Sequence, residues 1–221
     1  MTTAHLTEIR LNTASRDVQA DLRHGGLGFH RRTERLFLPD GYTAPRSSAT
    51  GPRPDLGLLW RLDTNRTGLK LLIQSTDPPD LTTLPDHYGT ARTTELGPYL
   101  DHLATGQHVH YRLTASPVHW ARDKNTGKPL RNRIPCTGPD VTHWWTRRAP
   151  DLGLDPYTTT TFQLTPVTGV ADHNPHMRLP LTRYDGLATI TDPTHLRTAI
   201  LQGIGRSKAF GAGLLTLAPP N

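Results

Sequence analysis

The segment "HLTEIRLN" (residues 5–12) alternates polar and apolar positions and sets Ile9 and Leu11 on one face, the pattern of a half-buried strand. "SRDVQADL" (15–22) opens on Ser15, a good N-cap, and predicts a short helix that the dipeptide Gly25-Gly26 breaks. In "GFHRRTERLF" (28–37), Phe29, Thr33, Leu36 and Phe37 recur at helical spacing, predicting a second helix that stops before Pro39. Residues 40–56 read as loop. "LGLLWRLD" (56–63) and "GLKLLIQS" (68–75) read as two strands joined by a turn at "TNRTG" (64–68), and "DPPDLTTLPDHYG" (77–89) as irregular. The first half is thus strand, helix, strand, strand and an undefined remainder.

A second set of elements begins near residue 100. "HVHYRLTASP" (108–117) reads as a strand. "ARDKNTGKPLRNRIP" (121–135) reads as a hairpin arm with Asn125 to Gly127 in its turn, and "GPDVTHWWTRR" (138–148) as a short helix from Pro139. "TTTTFQLTPVTGV" (158–170) and "LTRYDGLATIT" (181–191) read as strands. Asp192-Pro193 starts a helix that runs to Gln202, Gly203 ends it, and "GLLTLAP" (213–219) is a last strand. Strand, helix, strand, strand, helix, strand is the ferredoxin-like plan, and the first half carries a degenerate copy of it. The expected fold is therefore α+β, two tandem ferredoxin-like (RRM-like) domains over residues 1–95 and 100–221.

Composition narrows the function. The chain has 221 residues, 34% of them hydrophobic, with 20 prolines and 19 glycines, enough for a modest core and many turns. No apolar run approaches the roughly 20 residues of a membrane span, and "MTTAHLTEIRLN" lacks the charged and apolar segments of a secretory leader. One cysteine, Cys136, excludes an internal disulfide framework and a cysteine-based zinc cluster, so a cytoplasmic protein is expected. The formal charge of +6 is uneven: 12 Lys and Arg stand against 11 Asp and Glu in residues 1–95, and 13 against 8 in residues 100–221. The preference for Arg over Lys fits codon bias, but the asymmetry does not. A basic half suits a polyanion, because neutralising phosphates releases their counterions.

The stretch "GIGRSKAFGAGLL" (203–215) packs four glycines, Arg206 and Lys208 between a helix and a strand. It is not a P-loop, because the order is helix, loop, strand and Lys208 does not follow a sixth-position glycine. It is not a dinucleotide loop either, because Lys208 stands where that pattern has its last glycine. Two readings stay open. Gly203, Gly205, Gly211 and Gly213 serve tight turns and close strand packing. Alternatively they let the backbone cradle phosphates, with Arg206, Ser207 and Lys208 supplying charge and a hydroxyl. The basic residues between the glycines favour the cradle.

"GIGRSKAFGAGLLTLAP" (203–219) resembles the C-terminal signature of CasE-type proteins, the endoribonuclease subunit of the type I-E CRISPR surveillance complex (Cascade). "YDGLATITDPTHLRTAILQGIG", "VHYRLTASPV" with "GKPLRNRIP", the strand pair "LLWRLD" and "LKLLIQS", and "LNTASR" followed by a histidine seven residues before a phenylalanine extend the similarity over nearly the whole chain. The resemblance implies a metal-independent endoribonuclease without cofactor that cuts repeat RNA at the 3′ base of its stem. The ribose 2′-hydroxyl attacks the adjacent phosphate, leaving a 2′,3′-cyclic phosphate, and the enzyme keeps the mature crRNA. The implied partners are the CRISPR repeat hairpin and other subunits of the complex, with no membrane.

Such chemistry needs an acid, a base and positive charge at the phosphate. The matching histidine is His30, flanked by Arg31, Arg32 and Arg35; His24 in "LRHGG" is the rival. Family members often carry a tyrosine three residues before the histidine, where this chain has Leu27. A lysine one turn beyond, in some relatives, corresponds best to Arg35, which stabilises charge but is a poor proton donor. The arm of the family enters the groove of the stem, which implies RNA contacts for Arg131 and Arg133, with Lys124 and Lys128 near the tip. Two other classes stay in play. One is an RNA-binding subunit of the same fold that anchors guide RNA without cutting, which Leu27 supports. The other is a histidine-rich metal hydrolase using His108 and His110 or His173 and His176, pairs that lack a third ligand nearby. Trp144 and Trp145, at mid-helix, read as core and interface residues.

Overall fold

The computed structural model describes residues 2–38, 56–123, 125–168 and 178–220. Its first sheet is antiparallel, with strands β1 (His5–Leu11), β2 (Leu59–Asn65), β3 (Gly68–Ser75) and β4 (Gly89–Glu95) in the order β2-β3-β1-β4. Helices α1 (Arg16–Arg23) and α2 (Gly25–Arg35) fill the crossover from β1 to β2. The predicted alternation holds: Ile9 and Leu11 are buried with Val18, Phe29, Trp60, Leu71 and Ile73.

Gly25 and Gly26 do not lie in a loop between the helices. α2 starts at Gly25, three residues earlier than the spacing predicts, with φ +56° at that residue. The two helices cross so closely that a Cβ on Gly28 would collide with the Asp21 carbonyl, so a glycine is needed at that crossing. Beside it the buried Asp21 carboxylate accepts from Arg32 Nε (2.8 Å) and from the Tyr88 hydroxyl (2.8 Å), with the Arg32 guanidinium over the Tyr88 ring. Arg32 is thereby a structural residue. Burial, then the negative Asp21, pushes the Tyr88 hydroxyl far above its ordinary pKa.

The second crossover, a helix in the full ferredoxin-like plan, is here a single 3₁₀ turn, Leu81–Thr83, capped by the Asp80 carboxylate. β4 pairs with β1 along its length. It is an edge strand without a buried side chain, so it carries no apolar alternation to betray it.

A short helix, α3 (Gly97–Asp101), leads into the second sheet. Strand β5 (His108–Ala115) is followed by an arm of β6 (Val118–Arg122) and β7 (Pro129–Pro135), then helix α4 (Pro139–Arg148). Strands β8 (Leu154–Pro156) and β9 (Thr160–Gln163) follow, then a two-residue ladder of β10 (Val167–Thr168) and β11 (Arg178–Leu179). Strand β12 (Thr182–Ile190), helix α5 (Pro193–Gln202) and strand β13 (Leu215–Ala218) complete the chain. The order β13-β5-β12-β8, with β9 also on β12, is the ferredoxin-like order again, and the fold is two ferredoxin-like units in tandem. The long strand expected over 158–170 is broken at Pro166, which has no N–H for a ladder.

Asp192 caps α5 as expected, accepting from the Thr194 and His195 amides at 2.8 and 3.0 Å, and Gly203 closes it at φ +73°. Trp144 and Trp145 are buried in the second core with Tyr184, Leu113 and Leu196. Among the described residues no helix is long and apolar enough to cross a membrane.

One guanidinium joins the two sheets. Arg61 on β2 is 2% exposed. Its Nε and Nη2 donate to both oxygens of Asp63 (2.8 and 3.0 Å), and Nη2 also donates to Thr216 Oγ1 (2.9 Å). Nη1 donates to the carbonyls of Arg112 and Leu214, each at 3.0 Å. All five N–H groups of the side chain are thus used. Leu59, Leu72 and Leu214 pack beside it, and Gln74 Nε2 donates to the Ile200 carbonyl at 2.9 Å.

Replacing Arg61 by leucine leaves the buried Asp63 carboxylate with only the 3.6 Å approach of Arg112 Nη1 and takes a donor from the Arg112 and Leu214 carbonyls. The expected cost is about 3–5 kcal/mol, the usual penalty for breaking a buried ion pair. Urea unfolding of Arg61→Leu against the parent measures it; a loss under about 1 kcal/mol would contradict the role given to this side chain.

Candidate active site

His30 is the sixth residue of α2, in its second turn, and its side chain is 22% exposed. Its ring lies 5.9 Å, centroid to centroid, from that of Phe210, inclined by 51°. Phe210 belongs to a 3₁₀ turn, Lys208–Phe210, inside the glycine-rich stretch. The structure therefore brings the predicted histidine from the first unit against the predicted loop of the second. His30 Nε2 also lies 3.6 Å from Glu34 Oε2, one helical turn on. Glu34 was visible in the sequence as the i+4 neighbour but had no part in the predicted site. Phe210 had no such signal, because its partner is 180 residues away.

Arg31 and Arg35 are exposed. At about 100° per residue, Arg35 projects roughly 140° around the helix from His30, so the two do not share a face. Glu34 occupies the position that the sequence assigns to Arg35. Leu27, at the place of the family's tyrosine, is half-buried. His24 is exposed at the junction of α1 and α2 and lines a cleft of about 550 Å³ with Phe29, Trp60, Val167 and Phe210.

The glycine-rich stretch is held by packing. Gly203, Gly205, Gly211 and Gly213 all have positive φ, as does Ser207 at +62°. A Cβ on Gly211 would lie 2.9 Å from the Trp60 ring, and one on Gly203 2.7 Å from the Leu59 side chain. The same Trp60 donates its indole N–H to the Ala209 carbonyl (3.1 Å). The Ile204 amide donates to Gly213 (2.9 Å), closing the neck of the loop. Gly203 and Gly211 satisfy the close-packing reading directly and seat the loop on β2, while Gly205 lies against Trp144 and Gly213 against the loop's own Lys208 and Ile204.

The cations of the loop divide. Arg206 is exposed. Lys208 is half-buried and donates from Nζ to the Gln202 carbonyl at 2.7 Å, at the C-terminal end of α5 where the helix dipole favours a cation. Burial draws its pKa below the ordinary lysine value.

On the arm, every residue of β7 is exposed, and Arg131 and Arg133 share one face, as alternation requires. The turn is fixed by Asp123 Oδ1, which accepts from the amides of Asn125 (3.0 Å) and Thr126 (2.7 Å). Lys128 is exposed near the tip, and Lys124 lies outside the described residues. Of the histidine pairs, His108 packs edge-on against Tyr157, and His173 and His176 lie outside the described residues. Among the described residues no group of three or more His, Cys, Asp or Glu is placed to hold a metal ion.

A part-exposed imidazole beside a carboxylate and an aromatic ring, at the seam of two units, is suited to proton transfer. Comparison with known proteins agrees in kind. The sequence profile described as CRISPR associated protein matches residues 4–219. CRISPR-associated endoribonuclease Cse3 of Thermus thermophilus is 26% identical over 228 residues, spanning 97% of this chain and 99% of its own. The structure of Thermus thermophilus Cse3 bound to an RNA representing a pre-cleavage complex superposes with a TM-score of 0.77, covering 98% of this chain and 100% of that one. A chain of a CRISPR RNA-guided surveillance complex in a pre-nicking state is 34% identical, with a TM-score of 0.69, over 98% of this chain and 100% of its own.

Because Gly211 combines φ +85° with contact to Trp60, Gly211→Ala should destabilise by about 1–3 kcal/mol, while Gly127→Ala in the open turn of the arm should cost about 1 kcal/mol. Thermal melts of the two variants check the ranking, and equal losses would refute the packing role.

Proposed function

The chain belongs to the CRISPR associated protein family, and we propose that it acts there as an endoribonuclease of repeat RNA. It binds the CRISPR repeat stem-loop, cuts precursor crRNA at the 3′ base of the stem and keeps the mature crRNA, in a cytoplasmic complex with other subunits. Its working parts divide into residues 1–95, which carry the histidine, and residues 100–221, which carry the arm and the loop. The observation that carries this reading is the contact of His30 with Phe210, because it sets a proton-transfer group beside a basic loop.

In the proposed step the imidazole of His30 takes the proton of the ribose 2′-hydroxyl. The 2′-oxygen bonds to phosphorus, the bond to the 5′-oxygen breaks, and that oxygen leaves with a proton from a second donor or water. Glu34 steadies the imidazolium once the proton is on it. Arg206 and Arg31 meet the charge of the phosphates, and Gly203, Gly205, Gly211 and Gly213 hold Ser207 and Arg206 at the loop surface. Lys208 serves this site through the end of α5, and Arg35 contributes long-range charge. Arg131, Arg133 and Lys128, with Lys124, follow the phosphates of the stem, since an A-form duplex is read mainly by shape and backbone.

A second reading rests on Leu27: with an apolar side chain where relatives often have a tyrosine, the chain binds and anchors the guide without cutting it. One assay separates the two. A repeat hairpin is incubated with the protein in EDTA. Cleavage that survives EDTA, falls about 10²–10⁴-fold in His30→Ala and is abolished by a 2′-deoxy substitution at the cut site supports the enzyme. Binding without product supports the anchor, and product only with added metal supports neither.

The charge assignment has its own check. Arg206→Ala should lower the slope of log affinity against log salt by about one, whereas Lys208→Met should lower the melting temperature and leave that slope nearly unchanged. Filter binding at several salt concentrations decides it; an unchanged slope in Arg206→Ala removes that side chain from the interface.

A further inference from the structure

We propose that Trp120, near the root of the arm, is the stacking platform for an unpaired base of the bound RNA. This rests on the RNA-binding reading above and assigns a part of the site that the histidine and the loop leave open. Trp60, Trp144 and Trp145 are 3%, 7% and 0% exposed, whereas Trp120 is 49% exposed. An indole is a large apolar surface to leave in water, and here it is held in place. The Arg133 guanidinium lies over its ring, 4.2 Å from the centroid, and the two residues pair directly across β6 and β7. The ring is thereby fixed on the face that also carries Arg131.

The surroundings select a nucleic acid. Residues 118–135 contain five Lys and Arg and one acid, Asp123, whose carboxylate is occupied in the turn. Arg122 pairs with Pro129 near the tip, and Trp120 pairs with Arg133 two residues from the root pair, Val118 with Pro135. The arm thus runs from a cationic tip to an aromatic root. A duplex offers phosphates to the tip, but inside a stem each base face is covered by its neighbour. Away from the end pair of the stem, only a nucleotide outside the duplex has a free face for an indole. The ligand at Trp120 is therefore an unpaired nucleotide flanking the stem, gripped without sequence readout because every base has a π face.

The test compares the parent with Trp120→Ala and Trp120→Phe on three RNAs: the repeat hairpin with its single-stranded flanks, the same RNA with abasic flanks, and the blunt stem-loop. The expected result is a loss of roughly ten- to hundredfold in affinity for the flanked RNA in Trp120→Ala, with partial recovery in Trp120→Phe. The blunt and abasic RNAs should bind parent and variant within about twofold. Acrylamide quenching gives a second readout, since the other three indoles are buried: flanked RNA should protect the fluorescence of the parent, and blunt RNA should not. Equal loss on blunt and flanked RNA, or no loss with quenching unchanged by RNA, overturns the proposal and gives this face to a protein partner. Failure of the parent to bind any of the RNAs sinks the RNA reading itself, a distinct outcome.

Discussion

Everything at the proposed site depends on the grip of the C-terminal unit on strand β2. Trp60 and Arg61 are consecutive, so they point to opposite faces of the sheet, yet both reach the second unit. Trp60 holds the Ala209 carbonyl from the helix side, and Arg61 holds the Arg112 and Leu214 carbonyls from the other. A strand held from both faces cannot slide or hinge freely. Asp63, two residues on, supplies Arg61 with a matching carboxylate on the same face. Burial alone would favour losing the charge, and Asp63 opposes it. The contact between His30 and Phe210 is a by-product of this clamp, since α2 packs on the same strand that the loop is tied to.

Much of the fold was legible in the sequence. The alternation in residues 5–11, the Asp192-Pro193 start of α5 and the turn from Asn125 to Gly127 are local signals, and each stands where it was read. What escaped was non-local or exposed. β4 exists because β1 offers it an edge, and nothing in "GTARTTE" announces it. The start of α2 was misplaced because Gly25 and Gly26 read as a breaker, while the packing of Gly28 on Asp21 needs glycine for close approach. Arg32 stood in the sequence as one more cation beside His30, but its charge is spent on Asp21 in the first core.

The site shows the same division. His30 was singled out through the resemblance, on its spacing to Phe37. Its actual neighbours, Glu34 and Phe210, come from helical geometry and from tertiary packing. The glycine-rich stretch drew notice for its flexibility and charge, yet in the folded chain its glycines are the rigid part, each fixed at positive φ against Leu59, Trp60, Trp144 or the loop's own neck. A loop that approached phosphates only by being mobile would lose entropy on binding. One seated in advance on β2 has already lost it.

The arm stands apart from all this. Its second strand lies wholly in solvent and belongs to neither core. Side-chain changes on that strand remove no core packing, so on the proposed reading the arm is free to drift in step with a changing repeat while the clamp and His30 stay as they are. Recognition and chemistry, so assigned, are separately evolvable.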